Sequence, residues 1–212
     1  MLGEFGGAEA TPELRRWLHR DVTPALRARA ALGLAAVHDR ESADAIAQLL
    51  ALRGKEWRQF HHLLIAALGD LQAQDQVPAI RAALEIEPEI TGSAIEISLL
   101  SAGIPTLARF GTADAWAGVV ELSAQREHAR RRTVLSFLRG IETQAVQQLL
   151  LSALDDPDPD IRQTACDSLL GMPTLGRRLS YASCTNPRDS EWNAKVQAIR
   201  SALNAPSPAA GP

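Results

Sequence analysis

Asp21-Val-Thr-Pro24-Ala-Leu26-Arg27-Ala-Arg29-Ala30-Ala31 runs on into Leu34 and Val37, and a distant stretch, Asp158-Pro159-Asp160-Ile161-Arg162-Gln-Thr-Ala165-Cys166, runs on into Leu169 and Met172. Counted from the Arg, both place an apolar residue at −1, small residues at +3 and +4, and apolar residues at +7 and +10. A pattern shared by segments this far apart marks a stack of repeated structural units. With the +7 residue as register mark, the series is Leu34, Leu68, Leu107, Leu138 and Leu169, at intervals of 34, 39, 31 and 31 residues. Each interval accommodates two helices of three or four turns. The spacing therefore predicts an all-α fold, a right-handed α-solenoid of about five antiparallel helix pairs plus a C-terminal capping helix.

Cap residues and apolar stripes place the helices. Thr11-Pro12 opens the first and Thr23-Pro24 the second; Ser42 caps the third, which ends at Gly54. A fourth helix is expected over 55–71 and a fifth from Asp75 to about Pro88. A sixth, over 92–110, should be kinked or broken at Pro105. Later helices are expected over 112–124, 127–139, 142–154 and 159–170. Domain organisation follows: a flexible N-terminus over 1–10, the repeat array over 11–171, an irregular loop over 172–189 rich in Pro and Gly, a capping helix over 190–204, and a low-complexity, disordered tail over 205–212.

The chain has 212 residues, 46% of them apolar and only 4% aromatic. That suffices for a continuous core, and small side chains let helices approach closely. The formal net charge is −3, which argues against a general nucleic-acid binder. Only Lys55 and Lys195 are lysines, so the positive charge is almost all arginine, the better fork for carboxylate. Two cysteines, Cys166 and Cys184, do not make a disulfide framework, and Cys166 sits at a small-residue packing position. The first residues lack the basic start and apolar stretch of a signal peptide, and the longest apolar run, Leu63 to Leu68, is too short to span a bilayer. A soluble, cytoplasmic protein with no membrane insertion is expected.

DVTPALRARAALGLA and DPDPDIRQTACDSLLG resemble the HEAT repeat family, and more closely its short-period bacterial branch, the HEAT-like repeats named after phycobilisome lyases. The resemblance covers about residues 12–171. The second pair keeps FHHLLIAALGDL with His61 in the Arg place; the third has Leu100 there, and the fourth Arg131. The resemblance implies that Arg27, His61, Arg131 and Arg162 bond an Asp or a carbonyl between repeats, with Asp158 at a helix start in the same inter-repeat role. It further implies that the second helix of each pair lines the concave face, where Arg29, Arg58, His62, Arg130 and Arg132 would form a basic stripe. Arg126 belongs to the same dense run, Arg126-Glu-His128-Ala-Arg130-Arg131-Arg132, and Trp57 begins a second helix beside Arg58.

Other constellations carry less. Asp156-x-Asp158-x-Asp160 mimics a calcium loop, but Ile161 replaces the sharp-turn Gly, two prolines interrupt it, and no closing Glu follows. Adjacent His61 and His62 point to different sides of a helix and do not form a metal pair. No phosphate-cradling Gly loop, nucleophile elbow or zinc motif is present. No catalytic residue, metal or cofactor is assigned. The sequence thus points to a non-enzymatic scaffold (an adaptor, assembly factor or inhibitor) that binds a partner protein with an acidic patch through Trp57 and the arginine stripe. Two other readings fit the resemblance: a nucleic-acid enzyme like the HEAT-like alkylpurine DNA glycosylases, with Asp114 and Trp116 as its only suggestive pair, and a bilin lyase or chaperone.

Overall fold

The computed structural model describes residues 7–20, 22–85, 93–125, 127–179 and 192–204. Among them the secondary structure is helical, with no strand. The helices are α1 (Thr11–His19), α2 (Pro24–Ala36), α3 (Ala43–Leu50), α4 (Lys55–Arg58), α5 (His61–Asp70), α6 (Val77–Leu84), α7 (Ala94–Phe110), α8 (Ala113–Ser123), α9 (His128–Phe137), α10 (Gln144–Ala153), α11 (Pro159–Leu170), α12 (Pro173–Arg178) and α13 (Trp192–Asn204). The chain divides into two compact units, residues 1–119 and 120–212, with the division inside α8.

In the first unit α1 packs on α2, α3 on α5, and α6 on α7, so the pairs follow chain order. The second helices α2, α5 and α7 lie side by side, and the first helices α3 and α6 do likewise. That is the two-layered solenoid arrangement, because each pair buries its apolar side only against its neighbours. In the second unit α11 packs on α9 and α10, α12 on α11, and α13 on α12. The register residues Leu34, Leu68, Leu107, Leu138 and Leu169 are all fully buried. Each contributes about 1.5–3 kcal/mol by leaving water.

The second helices end alike. His38 (φ 56°), Gln72 (φ 54°) and Gly111 (φ 65°) each stand one residue past the +10 position, in the left-handed conformation that closes a helix. Short 3-10 turns follow at Arg40–Ser42 and Gln74–Gln76 and lead into α3 and α6. Ser42 therefore lies in such a turn, its hydroxyl donating to the Asp39 carbonyl, and does not cap α3. Side-chain caps do occur at Ser93, Thr143 and Asp158, which accept from the backbone N–H of Glu96, Val146 and Asp160.

Several expectations need correction. The helix expected over 55–71 is two helices, α4 and α5, separated at Gln59 and Phe60. Helix α7 runs unbroken through Pro105. Proline removes the bond to the carbonyl four residues back, that of Ser101, and Ser101 lies exposed where water reaches it. Neighbouring helices pack closely against α7 around this point. A Cβ on Gly103 would stand 2.6 Å from Leu84 Cδ2, and one on Gly69 of α5 would stand 2.9 Å from Thr106 Oγ1. Residues 173–178, expected in an irregular loop, form α12, with Pro173 at its first position and Leu175 buried. Cys166 is fully buried and bonded in a disulfide, not a free packing thiol. The other cysteine, Cys184, lies outside the described residues, as do the tail over 205–212 and residues 1–6 of the expected N-terminal segment.

Candidate functional site

The repeated Arg position stands in the first turn of the second helix in the first, second, fourth and fifth pairs; in the third, Leu100 lies further along α7. Three of its occupants are committed to the chain itself. Arg162 donates to the carbonyls of Asp156 (2.8 Å) and Pro157 (3.0 Å). Arg131 donates from Nε to the Ser123 carbonyl at 3.1 Å and pairs with Asp156. His61 is fully buried, and its Nε2 lies 3.1 Å from the Leu52 carbonyl. The common geometry is a side chain turned back onto carbonyls of the preceding segment: the last residue of α8 for Arg131, and residues just beyond α3 and α10 for His61 and Arg162.

The two charge runs that stood out in the sequence answer each other in the second unit. His128 pairs with Asp158, Arg131 with Asp156, and Arg132 with Asp160 at 3.7 Å. The acidic triplet that imitates a calcium loop is thus the counter-charge to α9. His128 holds the Asp158 carboxyl below the usual carboxylate range, and the Asp160 N–H adds to the effect. Arg130 is half-buried on the same helix. Arg126 lies outside the described residues.

The first unit is different. Arg58 is buried (1% exposed); it donates to the carbonyls of Ala83 at 2.9 Å and Glu85 at 3.2 Å, at the C-terminal end of α6. It therefore does not join an exposed basic stripe. The break between α4 and α5 accompanies this inward turn, and the guanidinium pins α4 to the neighbouring pair. His62 is half-buried, with Nδ1 enclosed and unbonded. Arg29 is exposed on α2. The Arg27 guanidinium lies over the Trp57 indole, 5.1 Å from its centroid, and its Nε has no hydrogen-bond partner. This stacking replaces the carbonyl or Asp bond expected of Arg27. Trp57 itself is half-buried.

Exposed apolar side chains were not anticipated from the sequence. Leu26 is 38% exposed on α2 and Ile97 51% exposed on α7. Their signal was weak, since each occupies a position that an interior stripe would also claim. Asp114 is bound to Arg81 of α6 and is not poised beside Trp116. Among the described residues no three His, Cys, Asp or Glu side chains converge on a metal-sized space, and no helix is long and apolar enough to cross a membrane.

Paired helices stacked through buried leucines define the class: an all-α helical-repeat protein with HEAT-like units. The HEAT repeat family model matches residues 146–172, which take in most of α10 and all of α11. The complex of CpcE and CpcF of phycocyanin lyase from Nostoc sp. PCC7120 has a similar fold, with TM-score 0.52 and 16% identity over 95% of this chain and 86% of that one. Human deoxyhypusine hydroxylase in complex with glycerol aligns with TM-score 0.37 and 20% identity over 96% and 75%. In sequence the chain matches no curated protein.

Proposed function

We propose that the chain is a non-enzymatic protein-binding scaffold, acting as an adaptor, assembly factor or inhibitor. Its partner seats on the outer side of the second helices α2, α5 and α7 and presents an acidic patch there. One contrast supports this reading. On α9 the side chains of His128, Arg131 and Arg132 are answered by the chain's own aspartates. Among the described residues, neither Arg27 nor Arg29 on α2 has a carboxylate partner. Beside them stand Leu26 and Trp57, and Ile97 is exposed on α7. Trp and Arg flanked by apolar surface is the composition in which interface energy concentrates. A layer of parallel helices offers the area, on the order of 800 Å² per partner, that a stable interface needs without a deep pocket.

The test is capture from the native host with tagged chain, followed by identification of what is retained. The double variant Leu26→Asp with Arg29→Glu should lose the partner while keeping the wild-type helical signal and melting temperature. Arg130→Glu with Arg132→Glu, on the other unit, should keep it. Equal capture by the α2 variant would move the site elsewhere. Retention of DNA that falls steeply with added salt would favour the nucleic-acid reading instead.

A further inference from the structure

Resting on this protein-binding reading, we infer that Arg27, laid flat on Trp57, is the receptor for one carboxylate of the partner, an Asp or Glu side chain. In the second, fourth and fifth pairs the residue at the repeated Arg position bonds the chain's own carbonyls, and Arg131 adds Asp156. Arg27 occupies the same position in the first pair, and among the described residues it makes no such bond; its Nε is without a partner. Its guanidinium is nevertheless fixed, because the indole 5.1 Å away holds it by the attraction of a cation for a ring face. The Arg27 Nε is enclosed, so a carboxylate would be met by the two terminal nitrogens, for which no bond is found among the described residues; a planar, stacked guanidinium presents that pair already organised for bidentate contact. Little conformational freedom remains to be lost when the anion arrives.

Carboxylate fits better than a phosphate backbone. A polyanion track needs several aligned cations. Here the neighbour along α4 is an exposed Glu56, and Arg29, two residues further along α2, points to another side of its helix. One fork beside an apolar rim made by Leu26 and Trp57 suits a single acidic side chain flanked by apolar ones.

The test uses the full chain and an end-blocked hexaglutamate peptide at low ionic strength, followed through the Arg Nε–Hε resonances, with inorganic phosphate and hexalysine as the comparison arms. Hexaglutamate should shift the Arg27 resonance, identified by its loss in Arg27→Gln. That variant should weaken binding about tenfold or more, as expected for a lost charge-assisted pair. Arg27→Lys should weaken it severalfold, because an ammonium lacks the fork, and Trp57→Leu should do the same. Arg29→Gln should change it by less than about threefold. The melting temperature of Arg27→Gln should stay near wild type, since no hydrogen bond to the chain is lost. Unchanged affinity in Arg27→Gln, no binding of hexaglutamate to the wild type, or stronger binding of phosphate than of the peptide would each overturn the inference. So would a lowered melting temperature with affinity kept, which would make Arg27 a packing residue. Failure here is separable from failure of the scaffold reading. A native partner that is lost by Leu26→Asp with Arg29→Glu but kept by Arg27→Gln would remove only the carboxylate receptor. Arg27-dependent peptide binding with no native partner captured by any form would remove only the scaffold reading.

Discussion

Replacing Arg58 should damage the fold, although the sequence places this residue among surface contacts. Its side chain is 1% exposed, and its two terminal nitrogens donate to the Ala83 and Glu85 carbonyls. A hydrogen bond to a charged group contributes roughly 1.5–3 kcal/mol, and a buried carbonyl left unbonded costs about 1–3 kcal/mol. Arg58→Ala removes both bonds and the buried aliphatic stem, while also relieving the cost of burying a charge. The net loss should be about 3 kcal/mol, within the range seen when one partner of a buried polar contact is deleted. For a urea slope of about 2 kcal/mol/M, that moves the midpoint down by about 1.5 M. Arg58→Met keeps the stem and removes the charge, so it should lose less than Arg58→Ala. Arg29→Ala, at an exposed site, should stay within about 0.5 kcal/mol of wild type. Urea denaturation followed by the fluorescence of neighbouring Trp57 and by far-ultraviolet dichroism measures all three. If Arg58→Ala unfolds at the wild-type midpoint, the guanidinium is not the pin described here.

Other consequences follow from the packing. Gly103→Ala places a Cβ 2.6 and 2.7 Å from the two Leu84 methyls, and Leu84 is buried. Overpacking of about 1–3 kcal/mol, offset by about 1 kcal/mol of helix propensity, should leave a net loss of about 1 kcal/mol in thermal denaturation. Gly118→Ala meets Arg81 at 3.1 Å, a looser approach than at Gly103, and should cost less than Gly103→Ala. Gln72→Gly and His38→Gly relieve the left-handed backbone at φ 54° and 56°. Each should raise stability by up to about 0.5 kcal/mol, since a relief of about 1–2 kcal/mol is partly cancelled by the greater freedom of unfolded glycine. The Asp158 carboxyl titrates below its ordinary range because His128 and the Asp160 N–H bond its charged form. Its contribution is therefore complete above about pH 4 and is lost as the pH falls through the lowered folded value. Asp158→Asn should flatten the acid limb of the melting-temperature profile, and an unchanged limb would show that the pair does not stabilise the fold.

The Arg-referenced register, the five leucines and the small residues beside them were legible because each is a local property. A helix brings residues three and four apart to one side, and stacked pairs must repeat that side at a near-constant interval. The division of 55–71 into two helices was not legible, and it comes with a long-range contact, Arg58 reaching carbonyls 25 and 27 residues further on. The continuity of α7 through Pro105 was equally hidden. Neighbouring helices decide whether an unbonded carbonyl lies inside or meets water.

Charge separates the two levels most clearly. The sequence by itself determines that the chain is all-helical, repeated in pairs, and rich in arginine at the starts of second helices. Only the tertiary structure decides which arginines are already answered. Asp156, Asp158 and Asp160 are 25 to 30 residues from their α9 partners and look like a metal loop until stacking sets them opposite His128, Arg131 and Arg132. Arg27 and Arg162 read alike in the sequence; one lies on an indole and the other on carbonyls. Periodicity is written along one helix, whereas a counter-charge arrives from another helix and acts only over the few ångströms that packing creates.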